Sequence, residues 1–162
     1  MSIGIVYFSA YGNTEYLARR LSERVGGELI EIRQKDSARG LLGFLKGGFR
    51  ASTERAAPIE GDPREIASRF QTLYLLTPIW AGKISPAMRA FLQESDFKDK
   101  QVYAVTLQAD PNRQGSDKVH EFVRAEVEGK GGSLILSYAL HSAPPGKFAG
   151  EEQLEEELGK IS

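Results

Sequence analysis

The chain has 162 residues, of which 41% are hydrophobic, and this fits a single domain over residues 1–162 with a sizeable core. A formal charge of −1 provides no overall field that would attract nucleic acid or an anionic membrane surface. The sequence contains no cysteine and only two histidines, which excludes disulfides, thiolate nucleophiles and thiolate metal ligands. We therefore expect no metal centre.

The N-terminal residues show no pattern of a targeting segment. An apolar run begins at Ile3 without a charged leader, and no segment approaches the roughly 18 continuous apolar residues of a membrane span. The expectation is a soluble, cytoplasmic protein with no nucleic-acid partner and no membrane partner.

The first apolar run, residues 3–8, leads directly into a hydroxyl-rich turn. It is apolar at nearly every position, a pattern typical of a parallel strand that is covered on both faces. Ser9 and Thr14 then supply hydroxyls, Gly12 permits close approach of the backbone, and the first N–H groups of the following helix lack internal partners. The turn therefore predicts an anion site, with phosphate as the expected anion. The alternative is an ordinary strand-to-helix connection with an Asn or Thr cap.

The remaining pattern alternates strands with helices. Strands are predicted over residues 29–32, 73–76, 101–107 and 133–140. Helices are predicted over residues 13–25, from Asp62-Pro63 to Phe70, from Ser85-Pro86 to Leu92, from Ser116 to Val127 and over residues 151–160. This alternation predicts an α/β fold, a five-stranded parallel sheet in the order 2-1-3-4-5 with helices on both faces, which is a three-layer sandwich. Strand two carries a charge, Glu31, and is assigned to an edge.

A long excursion over residues 33–61 follows strand two and exceeds an ordinary connection. It contains an apolar group and several basic residues, namely Leu41, Leu42, Phe44, Leu45 and Phe49 with Arg39, Lys46, Arg50 and Arg55. Two interpretations stay open. The segment either forms helical turns that cover the edge of strand two, or provides a lid or partner surface near a ligand.

Three loops follow strands one, three and four, and the predicted strand order brings them together at one edge of the sheet. The second loop, residues 77–82, contains Trp80, the only tryptophan. A tryptophan on a loop is an exposed apolar side chain unless it meets a planar ligand, so we favour a stacking role over a core role. The third loop, residues 108–115, is polar. It is either simply solvated or hydrogen-bonded to the polar edge of a ring.

The first turn has neither the spaced glycines of a dinucleotide fingerprint nor the lysine of a P-loop. Residues 7–14, Tyr-Phe-Ser-Ala-Tyr-Gly-Asn-Thr, instead resemble the phosphate-binding signature of flavodoxins. Residues 77–82, Thr-Pro-Ile-Trp-Ala-Gly, resemble that family's first isoalloxazine loop, and residues 40–50 resemble a segment of a group of short flavodoxin-like proteins. The likeness covers nearly the whole chain.

This resemblance implies a flavodoxin-like fold with noncovalently bound FMN. By matching position, it assigns the phosphate to Ser9, Tyr11, Gly12, Asn13 and Thr14, the ring to Pro78, Ile79, Trp80, Ala81 and Gly82, and the second ring loop to Gln108, Ala109 and Asp110. It implies no catalytic residue and no metal ligand.

Two features depart from the flavodoxin pattern. The second ring loop lacks the aromatic residue that often stacks on the flavin, which leaves one ring face open or covered by Phe44 or Phe49. The chain is also nearly neutral, whereas electron-carrier flavodoxins are usually strongly acidic.

The expected function is electron transfer by bound FMN between a reductase and a redox acceptor, either a partner protein or a small molecule. The alternative is an FMN-dependent NAD(P)H oxidoreductase that acts on a quinone or similar acceptor. A low-molecular-weight phosphatase would need a cysteine, and a phospho-receiver would need an acidic residue where Thr77 stands. A nonredox binding module is a less favoured possibility.

Overall fold

The computed structural model describes residues 1–35 and 55–162. The strands in these ranges are β1 (Ile3–Tyr7), β2 (Glu28–Glu31), β3 (Thr72–Trp80), β4 (Lys83–Ile84), β5 (Gln101–Gln108) and β6 (Ser133–His141). The helices are α1 (Asn13–Val25), α2 (Pro63–Ser68), α3 (Pro86–Glu94), α4 (Ser116–Glu128) and α5 (Glu151–Leu158). None of these helices is long and apolar enough to cross a membrane.

All strands except the short β4 pair in parallel, in the order β2-β1-β3-β5-β6. With β5 and β6 as the fourth and fifth long strands, this is the predicted order 2-1-3-4-5. The central position of β1 is visible in its register, where Ile5 lies between Leu29 of β2 and Tyr74 of β3. The charged strand β2 lies at an edge, as its sequence indicated.

Helices cover both faces of the sheet, which confirms the predicted three-layer arrangement. Adjacent residues of β1 point to opposite cores: Val6 joins Leu75 and Phe91 on one side, and Ile5 joins Leu17 and Leu158 on the other. Both Val6 and Ile5 are fully buried. The apolar run in β1 lacks alternation because each face of the strand is covered.

The stretch over residues 77–82, predicted as a loop, is mostly strand. β3 continues to Trp80, and a two-residue turn returns the chain into β4, with Ile79 opposite Ile84. The turn residues Ala81 and Gly82 have φ values of 50° and 70°, the backbone pattern of a type I′ hairpin. The sequence prediction was wrong here because Pro78 and Gly82 are residue types that locally indicate the end of a strand. The hairpin instead depends on pairing with β4, which is not a local property.

The structure describes both ends of the excursion over residues 33–61. Gln34 and Ile59 form an isolated antiparallel bridge, so the chain leaves and returns at neighbouring positions. Asp62 accepts a hydrogen bond from the backbone N–H of Arg64 at 2.9 Å, and Pro63 begins α2, which confirms the predicted helix start. The part of the segment that bears most on the lid interpretation, including Phe44 and Phe49 and all of residues 40–50, lies outside the described residues.

Candidate functional site

A cavity lies at the carboxyl edge of the sheet, where β1, β3, β5 and β6 end. Its lining residues come from four chain segments: Ser9, Ala10, Tyr11, Asn13 and Thr14; Pro78, Ile79 and Trp80; Leu107, Gln108 and Ala109; Ser142, Ala143 and Pro145. The space among them, including open solvent at the mouth, is about 470 Å³. The three segments selected from the sequence therefore meet around one cavity.

The turn between β1 and α1 has the geometry of an anion site. Gly12 is the N-cap of α1 with φ 90°, a left-handed conformation that favours glycine. The Oγ atom of Ser9 accepts a hydrogen bond from the Gly12 N–H at 3.1 Å. The next N–H groups, beginning with Asn13 and Thr14, lie in the first helical turn, where intrahelical partners are lacking and the helix dipole is positive. An anion at this position would meet several backbone donors.

The side-chain amide of Asn13 is hydrogen-bonded to another segment of the protein. Its Nδ2 atom donates to the carbonyl oxygen of Lys147, and its Oδ1 atom accepts from the N–H of Ala149, each at 2.8 Å. Both partners belong to residues 142–150, between β6 and α5, which we call the strap. Asn13 therefore has its backbone N–H left for an anion, while its amide holds the strap against α1.

Trp80 ends β3 and is 7% exposed. Its ring meets Phe8 edge-on, with ring centroids 5.6 Å apart and planes at 83°. The residue belongs to a core cluster and also lines the cavity. The premise that Trp80 lies on an exposed loop is wrong, although its predicted contact with a ligand ring stays a prediction.

A buried pair of hydroxyls fastens the end of β3 to α3. The Oγ1 atom of Thr77 lies 2.7 Å from the Oγ atom of Ser85. Ser85 caps α3 by accepting a hydrogen bond from the N–H of Met88 at 3.3 Å. This pair holds the adjoining Pro78 and Ile79 at the cavity wall.

In the third loop, Asp110 and Gln108 have different roles. The two carboxylate oxygens of Asp110 accept from the N–H groups of Asn112 and Gln114, at 2.9 and 3.0 Å, so Asp110 closes its own loop. Gln108 lines the cavity, and its Nε2 atom donates to the carbonyl of Gln114 at 3.0 Å. Its Oε1 atom is buried and has no hydrogen-bond partner among the described atoms. A buried acceptor at a cavity wall fits a ligand that brings an N–H group.

The third loop is supported from behind by α5. The Nε2 atom of His141 lies 3.1 Å from the carbonyl oxygen of Ala109, and the backbone N–H of His141 donates to Glu157. Burial by itself raises the pKa of Glu157, but hydrogen bonds from Lys160 and His141 and the charge of Arg113 outweigh it and lower the pKa. Glu157 is therefore held as a carboxylate beneath the loop.

Four predicted site residues, Gly12, Ala81, Gly82 and Asp110, do not line the cavity. Sequence reasoning missed five that do, namely Ala10, Leu107, Ser142, Ala143 and Pro145. The strap residues were missed because no motif in the sequence assigns residues 142–150 to a ligand. The available signal was chain order, since β6 ends at the same edge as the other parallel strands.

The described lining residues include no carboxylate, imidazole, amine or guanidinium group. Burial raises the pKa of Tyr11, so its phenol stays neutral at pH 7. In the described part of the chain, no three residues among His, Asp and Glu are arranged to hold a metal ion. The cavity offers hydroxyls, amides and backbone groups together with apolar walls.

No family model and no curated protein matches the chain. Solved structures match its fold. A candidate flavoprotein from Bacteroides uniformis ATCC 8492 aligns with a TM-score of 0.70 and 20% identity, over 98% of each chain. A flavoprotein in complex with FMN from Lactobacillus acidophilus NCFM aligns with a TM-score of 0.64 and 13% identity, over 85% of this chain and 92% of its own. Oxidised flavodoxin 1 from Bacillus cereus aligns with a TM-score of 0.60 and 13% identity, over 98% and 93%. At these identities the likeness establishes the fold.

Proposed function

We propose that this chain, which has the flavodoxin-like fold of those structures, binds FMN and passes electrons between a reductase and a redox acceptor. One observation carries the proposal: a turn suited to an anion and two further strand ends suited to a planar ring surround a single cavity. The described lining residues contain hydroxyls but no general base. Such a site favours chemistry supplied by a bound cofactor. The FMN in the Lactobacillus acidophilus structure, which has the same fold, adds support.

The residues present fit FMN at both ends. The phosphate would be held by the backbone N–H groups that open α1 and by the hydroxyls of Ser9 and Thr14. The polar edge of the ring would lie near Gln108, whose buried Oε1 atom is an acceptor without a partner in the described structure, and near the backbone of Ala109. FMN would supply the redox chemistry, while the protein would bind it, orient it and exclude water from part of its surface.

The absorbance spectrum of the purified protein, and of the apoprotein titrated with FMN, tests this proposal. We expect a bound-flavin spectrum and stoichiometric binding. Thr14 is 2% exposed, and Thr14→Val should weaken FMN binding about tenfold, the loss expected for one hydrogen bond to a charged group. The same substitution should leave riboflavin binding unchanged, because riboflavin has no phosphate.

Thr72→Val is a matched control, since Thr72 is also buried, at 5% exposure, but lies at the far end of β3. It should leave the affinities for both flavins unchanged. A wild-type apoprotein that binds no FMN overturns the proposal.

A second candidate function is an FMN-dependent NAD(P)H oxidoreductase that acts on a quinone or similar acceptor. The observation that favours it is the small number of aromatic rings at the site: of the described lining residues, only Tyr11 and Trp80 are aromatic, and the third loop contributes none. A ring face without an aromatic cover is accessible to a hydride donor.

Anaerobic stopped-flow mixing of the FMN-loaded protein with NADH or NADPH separates the two functions. Rapid bleaching of the flavin would favour the oxidoreductase. Flavin that is reduced by dithionite but not by either nucleotide would favour the electron carrier.

A further inference from the structure

The strap borders the cavity on a side that no sequence motif assigned to a ligand. Ser142, Ala143 and Pro145 contribute to the cavity wall. The strap is also joined to the third loop, because the backbone N–H of Ser142 donates to the carbonyl oxygen of Gln108 at 2.8 Å. One end of the strap is therefore fixed beside the region assigned to the ring.

From there the strap crosses the beginning of α1, where the phosphate is expected. Lys147 and Ala149 bind the two amide atoms of Asn13 through their backbone groups, each at 2.8 Å. Asn13 is the first residue of α1 and is 9% exposed. Because donor and acceptor of one buried amide both bind the strap, this part of the strap is held in one position.

Phe148 lies between the two anchor residues and covers the outside of the turn. Its ring meets Tyr16 edge-on, with centroids 6.0 Å apart and planes at 69°. Its Cδ2 atom would lie 3.9 Å from a Cβ atom placed on Gly12. Although Phe148 is 49% exposed, it packs directly beside the residue that caps α1.

We infer that the strap determines which flavin nucleotide the site accepts. The strap closes the end of the cavity at which the phosphate is expected. The terminal phosphate monoester of FMN therefore fits, whereas the diphosphate of FAD, which continues beyond the turn, meets the strap. The inference rests on the proposed function and adds its specificity: FMN is accepted and FAD is discriminated against. Asn13 and Phe148 are the positioning residues, since they hold the strap and carry no part of the redox chemistry.

The test measures dissociation constants of riboflavin, FMN and FAD for the apoproteins of wild type, Asn13→Ala, Phe148→Ala and Phe148→Leu, by quenching of flavin fluorescence. The wild type should bind FMN at least about tenfold more tightly than FAD. Asn13→Ala releases both strap hydrogen bonds and should reduce this ratio at least about fivefold. Phe148→Ala should reduce it less, and Phe148→Leu, which keeps an apolar contact with Tyr16, should stay near the wild-type ratio.

The ratio separates a strap effect from the loss of a phosphate contact. FMN and FAD share the phosphate next to the ribityl chain, so losing a contact to it would weaken both relative to riboflavin and leave their ratio unchanged. If Asn13→Ala does not fold, Phe148→Ala decides, because its half-exposed side chain can be removed without opening the core.

A wild type that binds FAD as tightly as FMN, or an unchanged ratio in the folded variants, overturns the inference and leaves the proposed function intact. A wild type that binds none of the three flavins overturns the proposed function as well.

Discussion

The buried carboxylate of Glu157 accepts a hydrogen bond from the backbone N–H of His141, with 3.0 Å between Oε2 and the nitrogen. Glu157 lies on α5, and His141 ends β6. The His141 ring contacts the carbonyl of Ala109, so this bond links the C-terminal helix to the third loop of the cavity.

Glu157→Gln should lower the free energy of unfolding at pH 7 by about 1.5–3 kcal/mol, the range for hydrogen bonds to a charged group. The Glu157 side chain is 6% exposed, so water replaces the lost interactions poorly. Urea unfolding followed by circular dichroism measures the difference. Glu156→Gln, an exposed position on the same helix, is the control and should change little.

The destabilisation should also depend on pH. The folded-state pKa of Glu157 is lowered from the usual 4.5. The carboxylate therefore contributes its full stabilisation of the folded state above pH 4.5, and this contribution is lost as the pH falls through the folded-state pKa. The difference between wild type and Glu157→Gln should therefore shrink between pH 7 and about pH 3. A difference that is constant with pH would contradict the carboxylate's role.

Trp80→Ala should cost about 3–5 kcal/mol of stability, because the ring fills a core position beside Phe8. Trp80→Phe keeps an aromatic ring there and should cost clearly less. Chemical denaturation of the flavin-free proteins gives both values without a contribution from ligand. Similar small losses of stability in Trp80→Ala and Trp80→Phe would mean that the indole ring does not pack in the core.

Ala81→Asn should raise the free energy of unfolding by about 1 kcal/mol, because Asn tolerates the left-handed conformation better than Ala does. Ala81 has φ 50° and is exposed, so the change acts through the backbone of the turn. Ala81→Val should act in the opposite direction, since a β-branched residue is disfavoured at positive φ. A higher melting temperature for Ala81→Val than for Ala81→Asn would argue against the type I′ turn.

Gly4→Ala should destabilise the sheet by about 1–3 kcal/mol through overpacking. A Cβ atom on Gly4 would lie 2.6 Å from Cδ2 of the Phe70 ring. Phe70→Leu removes part of that ring, so the double variant should lose less than the sum of the single losses. Additive losses in urea unfolding would indicate that the two side chains do not compete for the same space.

Much of the fold follows from local sequence signals. Apolar runs without alternation indicated strands buried on both faces, Glu31 indicated an edge, and Asp62-Pro63 marked a helix start, each of which the structure bears out. The same signals failed at residues 77–82, where a proline and a glycine indicated a loop. Pairing of Ile79 with Ile84 extends β3 instead, and pairing between strands is not a property of either segment alone.

The sequence by itself determined the strand-turn-helix unit at the N-terminus and the strand ends that meet at the cavity, because periodicity, caps and chain order suffice for these. Tertiary structure decided what the side chains at that edge do. The partners of the Asn13 amide lie 134 and 136 residues away in sequence, and Trp80 is buried through its contact with Phe8. No spacing rule relates residues that far apart, so only the tertiary structure shows that the strap is anchored on Asn13.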